Sequence, residues 1–364
     1  MSAGSRAQNA KRRRRATLAA RVSSEFGIDV RSVDPVAGGY DSHARVWRGA
    51  GADGRSWSIK ESVRDTRFGL ALAAGLGEAG VIGVSAPRRS RTGEPWSVRD
   101  GVFLSVAPWV DGVDAVADEA EPMRWHEFGA TLRAVHESPS PPTVRPARRG
   151  IRRGVQSPAA LLAGVDARVR ETARPAADAE DTVVHALGLW REHRDRFVAL
   201  AELERRLKRE RVHSRRVPLH GDPHTGNVIV APDGRPWLID FDEATTAPRE
   251  VDLMLIELGV IFSRPVTDTQ RAAFRSGYGA DAVIDESRIV RFGCVRAVED
   301  LAATMHQLLD GPADRRSGDL RILQGLLGGD GLAALVERRI AGERPAGSSP
   351  TPPRAVHESR EGTP

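Results

Sequence analysis

The sequence predicts an α+β chain of two lobes, a small β-rich N-terminal lobe and a larger helical C-terminal lobe. Before about residue 106, short runs of β-branched and aromatic residues alternate with glycine turns, which is typical of a small sheet. Beyond that point apolar residues recur mainly at helical spacing. A short apolar hairpin with polar ends interrupts the helical part near residue 230.

Strand, turn and helix signals give the order of elements in the N-terminal lobe. A short amphipathic helix fits the apolar spacing just before the first strand, and Gly80 marks the end of the lobe's longer helix. The predicted elements are a helix at 16–26, two strands within 33–47 separated by a glycine turn, a strand at 57–60, a helix at 70–79 and a strand at 102–106.

The C-terminal lobe begins where the composition changes near Ala107. Trp125, Phe128, Leu132 and Val135 recur at helical spacing and predict its first helix. A loop rich in proline and arginine follows at about 138–153. Further helices are predicted at 183–207, 253–262, 270–276, 288–309 and 320–339.

Size and composition agree with two lobes around a sizeable core, since the chain has 364 residues. The one cysteine, Cys294, excludes an internal disulfide and favours a reducing compartment, so we expect a cytoplasmic protein. No apolar run approaches the ~20 residues that cross a membrane, and no apolar signal core follows the basic N-terminus. We therefore expect no membrane partner.

Two basic segments, 11–15 and 145–153, hold much of the excess behind the net charge of +5. We interpret both as solvated, flexible surface. Nucleic-acid binding by the N-terminal segment is the alternative, but no aromatic residues that stack on bases are interleaved with its arginines. We expect disorder at 1–15 and in the Pro-, Ser- and Gly-rich tail at 341–364.

The most specific motif is H-G-D-P-H-T-G-N at 220–227, followed by I-D-F-D at 239–242. Two short β-rich runs and an A-P-D-G turn lie between them, so Asn227 enters a β-hairpin and Asp240 leaves it. Because the two side chains lie at adjacent strand ends, both can reach one metal ion.

This spacing resembles the catalytic centre of kinases. There the first Asp, here Asp222, accepts the proton of the acceptor hydroxyl, while the positions of Asn227 and Asp240 hold the Mg²⁺ of ATP. In that pattern His220 is structural and orients the backbone around Asp222. A merely solvated polar loop does not explain why all three residues fall at hairpin edges.

A transition-metal site at His220 and His224 is a further alternative. Histidine pairs four residues apart can bind zinc on a helix. Pro223 and Gly226 argue against a regular helix here.

The N-terminal lobe carries the predicted nucleotide contacts. Gly38, Gly39 and Ser42 lie in the glycine turn between two strands, where backbone amides approach phosphates. Lys60 ends a strand about twenty residues later, the placement of the lysine that pairs the α- and β-phosphates. The following helix carries no acid on its first turns, so the sequence supplies no clear acidic partner for Lys60.

These assignments place ATP in a cleft between a nucleotide-binding lobe at 16–106 and a catalytic and substrate lobe at 107–340. Backbone groups of Ala107 to Trp109, at the exit from the first lobe, are expected to hold the adenine. The architecture is that of a two-lobed protein-kinase-like fold.

The motifs at 220–227 and 239–241 resemble the signature of aminoglycoside phosphotransferases and related small-molecule kinases. Within that family the chain resembles spectinomycin phosphotransferases from about residue 26 to 309. The segments that carry the narrower likeness are 38–42 before 59–60, 240–243 with 247–254, 277–279 and 296–300.

The resemblance implies ATP- and Mg²⁺-dependent phosphorylation of a hydroxyl of an aminocyclitol antibiotic, as resistance or self-protection. Such acceptors are cations, so acids are expected around them. Candidate acceptor contacts are Asp242, Glu243, Glu299 and Asp300, whereas Asp252 is expected to cap the following helix.

Two other functions stay open. One is a kinase of the same fold acting on another aminoglycoside, choline, homoserine or a sugar. The other is a pseudokinase-like binding protein, which the missing helix glutamate suggests and the intact Asp222, Asn227 and Asp240 oppose.

Overall fold

The N-terminal part of the computed structural model is built on one antiparallel sheet. The structure describes residues 3–36, 43–117, 122–146, 156–172, 181–210, 213–261 and 264–342. Five strands form the sheet in the order β1-β2-β3-β5-β4. They are β1 (Val30–Pro35), β2 (Ala44–Gly51), β3 (Ser56–Ser62), β4 (Ser97–Arg99) and β5 (Val102–Pro108).

Alternation along these strands gives the sheet one buried face. In β3, Trp57 and Ile59 are buried, and Ile59 stands opposite Val106 of β5. This face packs against a helix, α1 (Ala3–Phe26), through Leu18 and Val22. A second helix, α2 (Arg67–Glu78), follows β3.

The length of α1 corrects one prediction. Disorder was expected for residues 1–15, but the helix begins at Ala3, so that expectation is wrong from residue 3 onward. Arginine is a good helix former, and two arginines of this segment pair with acids of the sheet. Arg14 contacts Glu61 and Arg15 contacts Asp34, each at 3.0 Å.

The link between the two lobes is hydrogen-bonded to the catalytic hairpin. β5 runs to Pro108, two residues past the boundary predicted at 106/107. A short strand, β6 (Val113–Asp114), then pairs with the hairpin strand β8 (Val228–Val230), with Val113 opposite Val230. The partner in the hairpin is β9 (Pro236–Leu238), so the predicted hairpin is confirmed.

The remainder of the described chain is mainly helical, which confirms the predicted α+β class. Its helices are α3 (Trp125–Glu137), α4 (Pro158–Thr172), α5 (Asp181–Glu210), α6 (Glu250–Leu258), α7 (Asp268–Tyr278), α8 (Glu286–Asp310), α9 (Arg316–Leu327) and α10 (Leu332–Ala341). Its other strands are β7 (Val217–Leu219), β10 (Thr245–Ala247), β11 (Val260–Ile261) and β12 (Arg264–Pro265).

Helix α8 is the central element of this lobe. Ile289, Val298 and Met305, spread along its length, are fully buried in the main core. The helix contacts α4, α5, α6, α9 and α10. It therefore forms a rigid support for any side chain that it presents to the catalytic loop.

Three features differ from the predicted helical lobe. The helix expected at 320–339 is two helices, α9 and α10, because the chain leaves α9 at Gly328 and restarts after Gly331. Helix α4 and the β7–β10 pair were not predicted. The short strands of that pair give a pattern too brief to recognise.

Among the described helices, none is long and apolar enough to cross a membrane. The predicted tail at 341–364 lies outside the described residues from 343 onward. Most of the basic segment at 145–153 does so as well.

Candidate active site

The loop that carries Asp222 rests on a buried histidine. His220 is fully buried, and its ring packs edge-on against Phe241, with centroids 4.6 Å apart. Its Nε2–H donates to the Ile239 carbonyl at 2.8 Å, and its Nδ1 accepts from the Asp222 amide at 3.3 Å. A single neutral tautomer satisfies both contacts. His220 therefore ties the catalytic loop to the strand end that precedes Asp240, in the structural role predicted for it.

Asp252, on the first turn of α6, holds the same loop through its backbone amides. Its carboxylate accepts from the backbone N–H groups of His220 (2.8 Å) and Gly221 (2.9 Å). His136 on α3 donates to it through Nε2 at 3.1 Å and accepts from the Tyr278 hydroxyl at 2.7 Å. The expectation that Asp252 caps its own helix is wrong, since the carboxylate serves the amides of the catalytic loop instead.

The loop itself is closed by hydrogen bonds around Asp222. The Asp222 carbonyl accepts from the Asn227 side-chain amide and from the His224 backbone N–H, both at 2.9 Å. The Asn227 amide also lies 3.3 Å from His224 Nε2. Burial lowers the pKa of His224 despite the nearby Asp222, so the ring is neutral near pH 7 and its Nε2 accepts this hydrogen.

These contacts engage the NH₂ group of the Asn227 side chain, so its carbonyl oxygen is the atom that could bind a metal ion. The backbone carbonyl of Asn227 accepts from the Ile239 N–H at 2.9 Å, which links it to the residue before Asp240. The two predicted metal ligands thus stand on hydrogen-bonded neighbouring strand ends.

Asp240 has an unusual backbone conformation. Its φ of 58° and ψ of 70° lie in the left-handed region. The side chain of Asp240 accepts from the Asp242 N–H at 3.3 Å, a local contact that makes this conformation accessible to aspartate. The turn directs Asp240 toward the N-terminal lobe.

Lys60 of β3 meets this turn. Its Nζ lies 2.8 Å from Asp240 Oδ1 and 3.0 Å from Asp242 Oδ2. Burial alone lowers the pKa of Lys60, but the two carboxylates outweigh it and the net shift is upward. Burial raises the pKa of Asp240, and the charge of Lys60 reverses this to a net lowering. Lysine and Asp240 are therefore both ionised at neutral pH.

This arrangement supplies the acidic partner of Lys60 that the sequence did not reveal. Helix α2 has no room for a side chain where it passes the turn after the hairpin, because a Cβ on Gly69 would overlap the carbonyl oxygen of Phe241. Glu78, at the end of α2, pairs with Arg89. Asp242 stands beside Lys60, and its predicted contact with the acceptor stays a prediction.

The opposite side of Asp222 faces α8. Arg296 Nη1 lies 2.5 Å from Asp222 Oδ1, and Arg296 Nε lies 2.7 Å from Asp300 Oδ1 and 2.9 Å from Asp300 Oδ2. Burial lowers the pKa of Arg296, but Asp222 and Asp300 raise it further than burial lowers it. Sequence reasoning assigned no role to Arg296, although it begins one of the segments that carried the resemblance.

The other predicted acids have separate positions. Glu299 precedes Asp300 on α8 and is partly buried. Glu243 lies within 3.4 Å of Arg64, which also contacts His43 at 3.2 Å. The structure therefore brings Asp300 to the catalytic loop through Arg296 and places Glu243 beside an arginine of the N-terminal lobe.

Of the predicted nucleotide contacts, Ala107 and Trp109 lie at the end of the sheet. Ala107 stands opposite Ser58, and the Trp109 amide donates to the Ser56 carbonyl at 3.0 Å. The guanidinium of Arg48 lies 4.8 Å from the centroid of the Trp109 ring. Gly38, Gly39 and Ser42 lie outside the described residues, so their phosphate contacts stay predictions.

The alternative of a zinc site at His220 and His224 gains no support. In the described ranges, no group of three or more His, Cys, Asp or Glu residues is arranged to hold a metal ion. Both ring nitrogens of His220 are hydrogen-bonded to backbone groups. A magnesium ion bound by Asn227, Asp240 and nucleotide phosphates is a different kind of site, because phosphate oxygens complete it.

The arrangement has the parts that phosphoryl transfer needs. A carboxylate, Asp222, lies partly buried on the hydrogen-bonded catalytic loop, and a cation, Lys60, stands beside Asp240 at the turn after the hairpin. Two carboxylates around one ammonium leave a surplus negative charge, which suits a magnesium ion.

Comparison with protein families agrees with this geometry. The profile of the phosphotransferase enzyme family matches residues 32–290, which is most of the chain and includes every residue of the site described above except Arg296, Glu299 and Asp300. A search of curated proteins gave no match.

Solved structures give the fold. Spectinomycin phosphotransferase APH(9)-Ia in complex with ADP and spectinomycin is similar at a TM-score of 0.75 and 19% identity, covering 89% of this chain and 97% of that chain. A microcompartment-associated aminopropanol kinase is similar at a TM-score of 0.59 and 13% identity, covering 90% of this chain and 98% of that chain. Amicoumacin kinase hAmiN in complex with AMP-PNP, Ca²⁺ and Ami is similar at a TM-score of 0.53 and 16% identity, covering 86% of this chain and 92% of that chain. The predicted kinase-like fold is confirmed.

Proposed function

Because the chain belongs to the phosphotransferase enzyme family, we propose that it transfers the γ-phosphoryl group of ATP to a hydroxyl of a small cationic aminocyclitol, with spectinomycin as the first candidate. The observation that carries the proposal is the position of Asp222. It stands between the cationic nucleotide side at Lys60 and the acid-bearing helix α8.

The transfer is a direct displacement. The acceptor oxygen forms a bond to the γ-phosphorus as the bond from that phosphorus to the β–γ bridging oxygen breaks, and ADP leaves. Asp222 orients the hydroxyl and takes its proton. No covalent intermediate on the protein is needed.

The residues on the nucleotide side fit ATP and magnesium. Lys60 is cationic and stands next to Asp240, so it would contact the α- and β-phosphates of a bound nucleotide. Asn227 and Asp240 would hold the magnesium ion, which neutralises charge on the transferred phosphoryl group when it is bound. Backbone groups from Ala107 to Trp109 would hold the adenine.

The acceptor side favours a cation. The carboxylates of Asp222 and Asp300 both contact the single guanidinium of Arg296. An acceptor with protonated amines is attracted to such a surplus of carboxylates. The aminocyclitol assignment follows from this charge together with the segments that resemble spectinomycin phosphotransferases.

The test is phosphorylation by the purified protein. The protein is incubated with ATP, magnesium and spectinomycin, and mass spectrometry is used to look for an added phosphoryl group. Asp222→Ala should lower kcat at least about a hundredfold while the KM for ATP changes little, because the base acts mainly in the transition state. Asp310→Asn, an exposed residue paired with Arg168 away from the loop, is the matched control and should stay active.

The acceptor panel decides between the proposal and its alternatives. It includes a second aminoglycoside, choline, homoserine and 1-amino-2-propanol. Product from one of these but none from spectinomycin would keep the kinase assignment and overturn the aminocyclitol. No product from any acceptor, with ATP still bound, would instead favour a binding protein.

A further inference from the structure

The contact between Arg296 and Asp222 places a permanent cation on the proposed catalytic base. The Arg296 side chain is only 14% exposed, and its Nη1 reaches Asp222 Oδ1 at 2.5 Å. During transfer one oxygen of Asp222 must take the hydroxyl proton. A guanidinium bound to Oδ1 stabilises the charged carboxylate as a whole and so opposes proton uptake.

The ion pair of Arg296 with Asp300 is more persistent than its ion pair with Asp222. Arg296 Nε contacts both oxygens of Asp300, which lies one turn further along the same helix. That i,i+4 pair is local to α8 and persists when the tip of the side chain moves. Nη1 reaches across to Asp222 from a different nitrogen, so the contact with the base can break while the helix pair remains.

The backbone position of Asp222 does not depend on this contact. Its backbone is fixed by the hydrogen bonds to His220, His224 and Asn227. Asp252 fixes the preceding two amides. Removing Arg296 therefore leaves the catalytic loop supported.

Withdrawal of the guanidinium leaves negative charge in a largely enclosed site, where uncompensated charge is costly. An acceptor with a protonated amine close to the hydroxyl that is phosphorylated restores the balance, whereas an uncharged alcohol does not. We propose that Arg296 is a specificity-determining residue, whose guanidinium occupies the acceptor's cation position on Asp222 in the ligand-free enzyme and is displaced by a cationic amino alcohol. This inference rests on the proposed function, because it concerns the acceptor of the same site.

The competition has a measurable consequence. In Arg296→Gln the acceptor no longer displaces a charge, so the KM for the cationic acceptor should fall about tenfold, the equivalent of one charge-assisted hydrogen bond. The kcat should stay within about twofold, and the KM for ATP should not change. Arg296→Lys, which restores the cation, should restore the higher KM.

Arg291→Gln is the matched control. Arg291 lies on the same helix and is also 14% exposed, but it pairs at 2.9 Å with Glu204 of α5 rather than with an acid of the catalytic loop. This variant is expected to lower Tm and leave the acceptor KM unchanged. Calorimetric titration of spectinomycin into the nucleotide-free wild type and variants gives the Kd of the acceptor, which allows the same comparison without turnover.

The results separate the inference from the proposed function. Absence of phosphorylated spectinomycin with the wild-type protein overturns the proposed function itself. If product forms, a KM that is unchanged or raised in Arg296→Gln overturns the role of Arg296 as a competitor. A kcat that falls more than tenfold and returns with Arg296→Lys would identify a positioning residue instead.

A second acceptor tests the charge requirement. The N-acetylated, uncharged derivative of spectinomycin should have a KM at least about tenfold higher than spectinomycin with the wild-type protein. Equal KM values for the two would overturn the inference.

Discussion

Replacing Asp252 with asparagine tests how the catalytic loop is held. The carboxylate accepts from the N–H groups of both His220 and Gly221 and from His136. Asparagine has one oxygen and one NH₂ group, so its NH₂ must face at least one of these donors. The substitution is nearly isosteric, which limits the change to hydrogen bonding and charge.

The expected loss follows from the burial of these groups. Asp252 is fully buried, so no water replaces the lost acceptor. One charge-assisted hydrogen bond is lost and one N–H is left unsatisfied, which together cost about 3 kcal/mol of the free energy of unfolding. Since domains of this kind have about 5–15 kcal/mol of stability, the variant should still fold. Its kcat should fall at least about tenfold, because the loop that carries Asp222 loses a hydrogen bond that holds its backbone in place.

Urea denaturation followed by circular dichroism measures the change in stability, and hydrogen exchange measures the loop directly. The amides of His220 and Gly221 should exchange faster in Asp252→Asn than in the wild type. Asp310→Asn removes an exposed acid instead and should cost at most about 1 kcal/mol. If both variants lose the same small amount and the two loop amides stay protected, Asp252 does not hold the loop.

Two further outcomes are expected. Asp240→Asn should raise the magnesium concentration for half-maximal activity about tenfold or more, because the site loses a charged ligand; an active variant with unchanged magnesium dependence would contradict the metal assignment. Burial raises the pKa of the Cys294 thiol to about 12, so the native protein should react only slowly with iodoacetamide at pH 8 and completely in urea; rapid labelling of the native protein would show that the thiol is accessible.

The parts of the site that are local in sequence were predictable. The hairpin and its flanking Asn227 and Asp240 lie within about twenty residues, and turn residues and strand pattern define them. The role of His220 followed from the same motif. Short-range patterns of this kind carry most of their structural information in adjacent residues.

The ion pairs of the site were not predictable in the same way. Lys60 and Asp240 are 180 positions apart, and Arg296 and Asp222 are 74 apart. A single sequence contains no signal for such pairs until the fold is known. The acid for Lys60 was sought on the following helix, whereas it lies on the turn after the hairpin.

Other errors had signals that were present in the sequence. The run Gly328-Gly329-Asp330-Gly331 marks the break between α9 and α10, since glycines end helices. The arginines before residue 16 favour helix by propensity, although their charge suggested a solvated tail. Asp252 lies on the first turn of α6 rather than ahead of the helix as its cap, and its hydrogen bonds could be assigned only from the folded chain.

The close approach of Gly69 to Phe241 has a consequence for control of the enzyme. Where a lysine takes its acid from a mobile helix, swinging that helix switches the lysine on or off. Here the acids beside Lys60 belong to the turn that also carries Asp240, and α2 touches that turn backbone to backbone. A rotation of α2 therefore does not carry the acids of Lys60 away from it, because neither acid belongs to that helix.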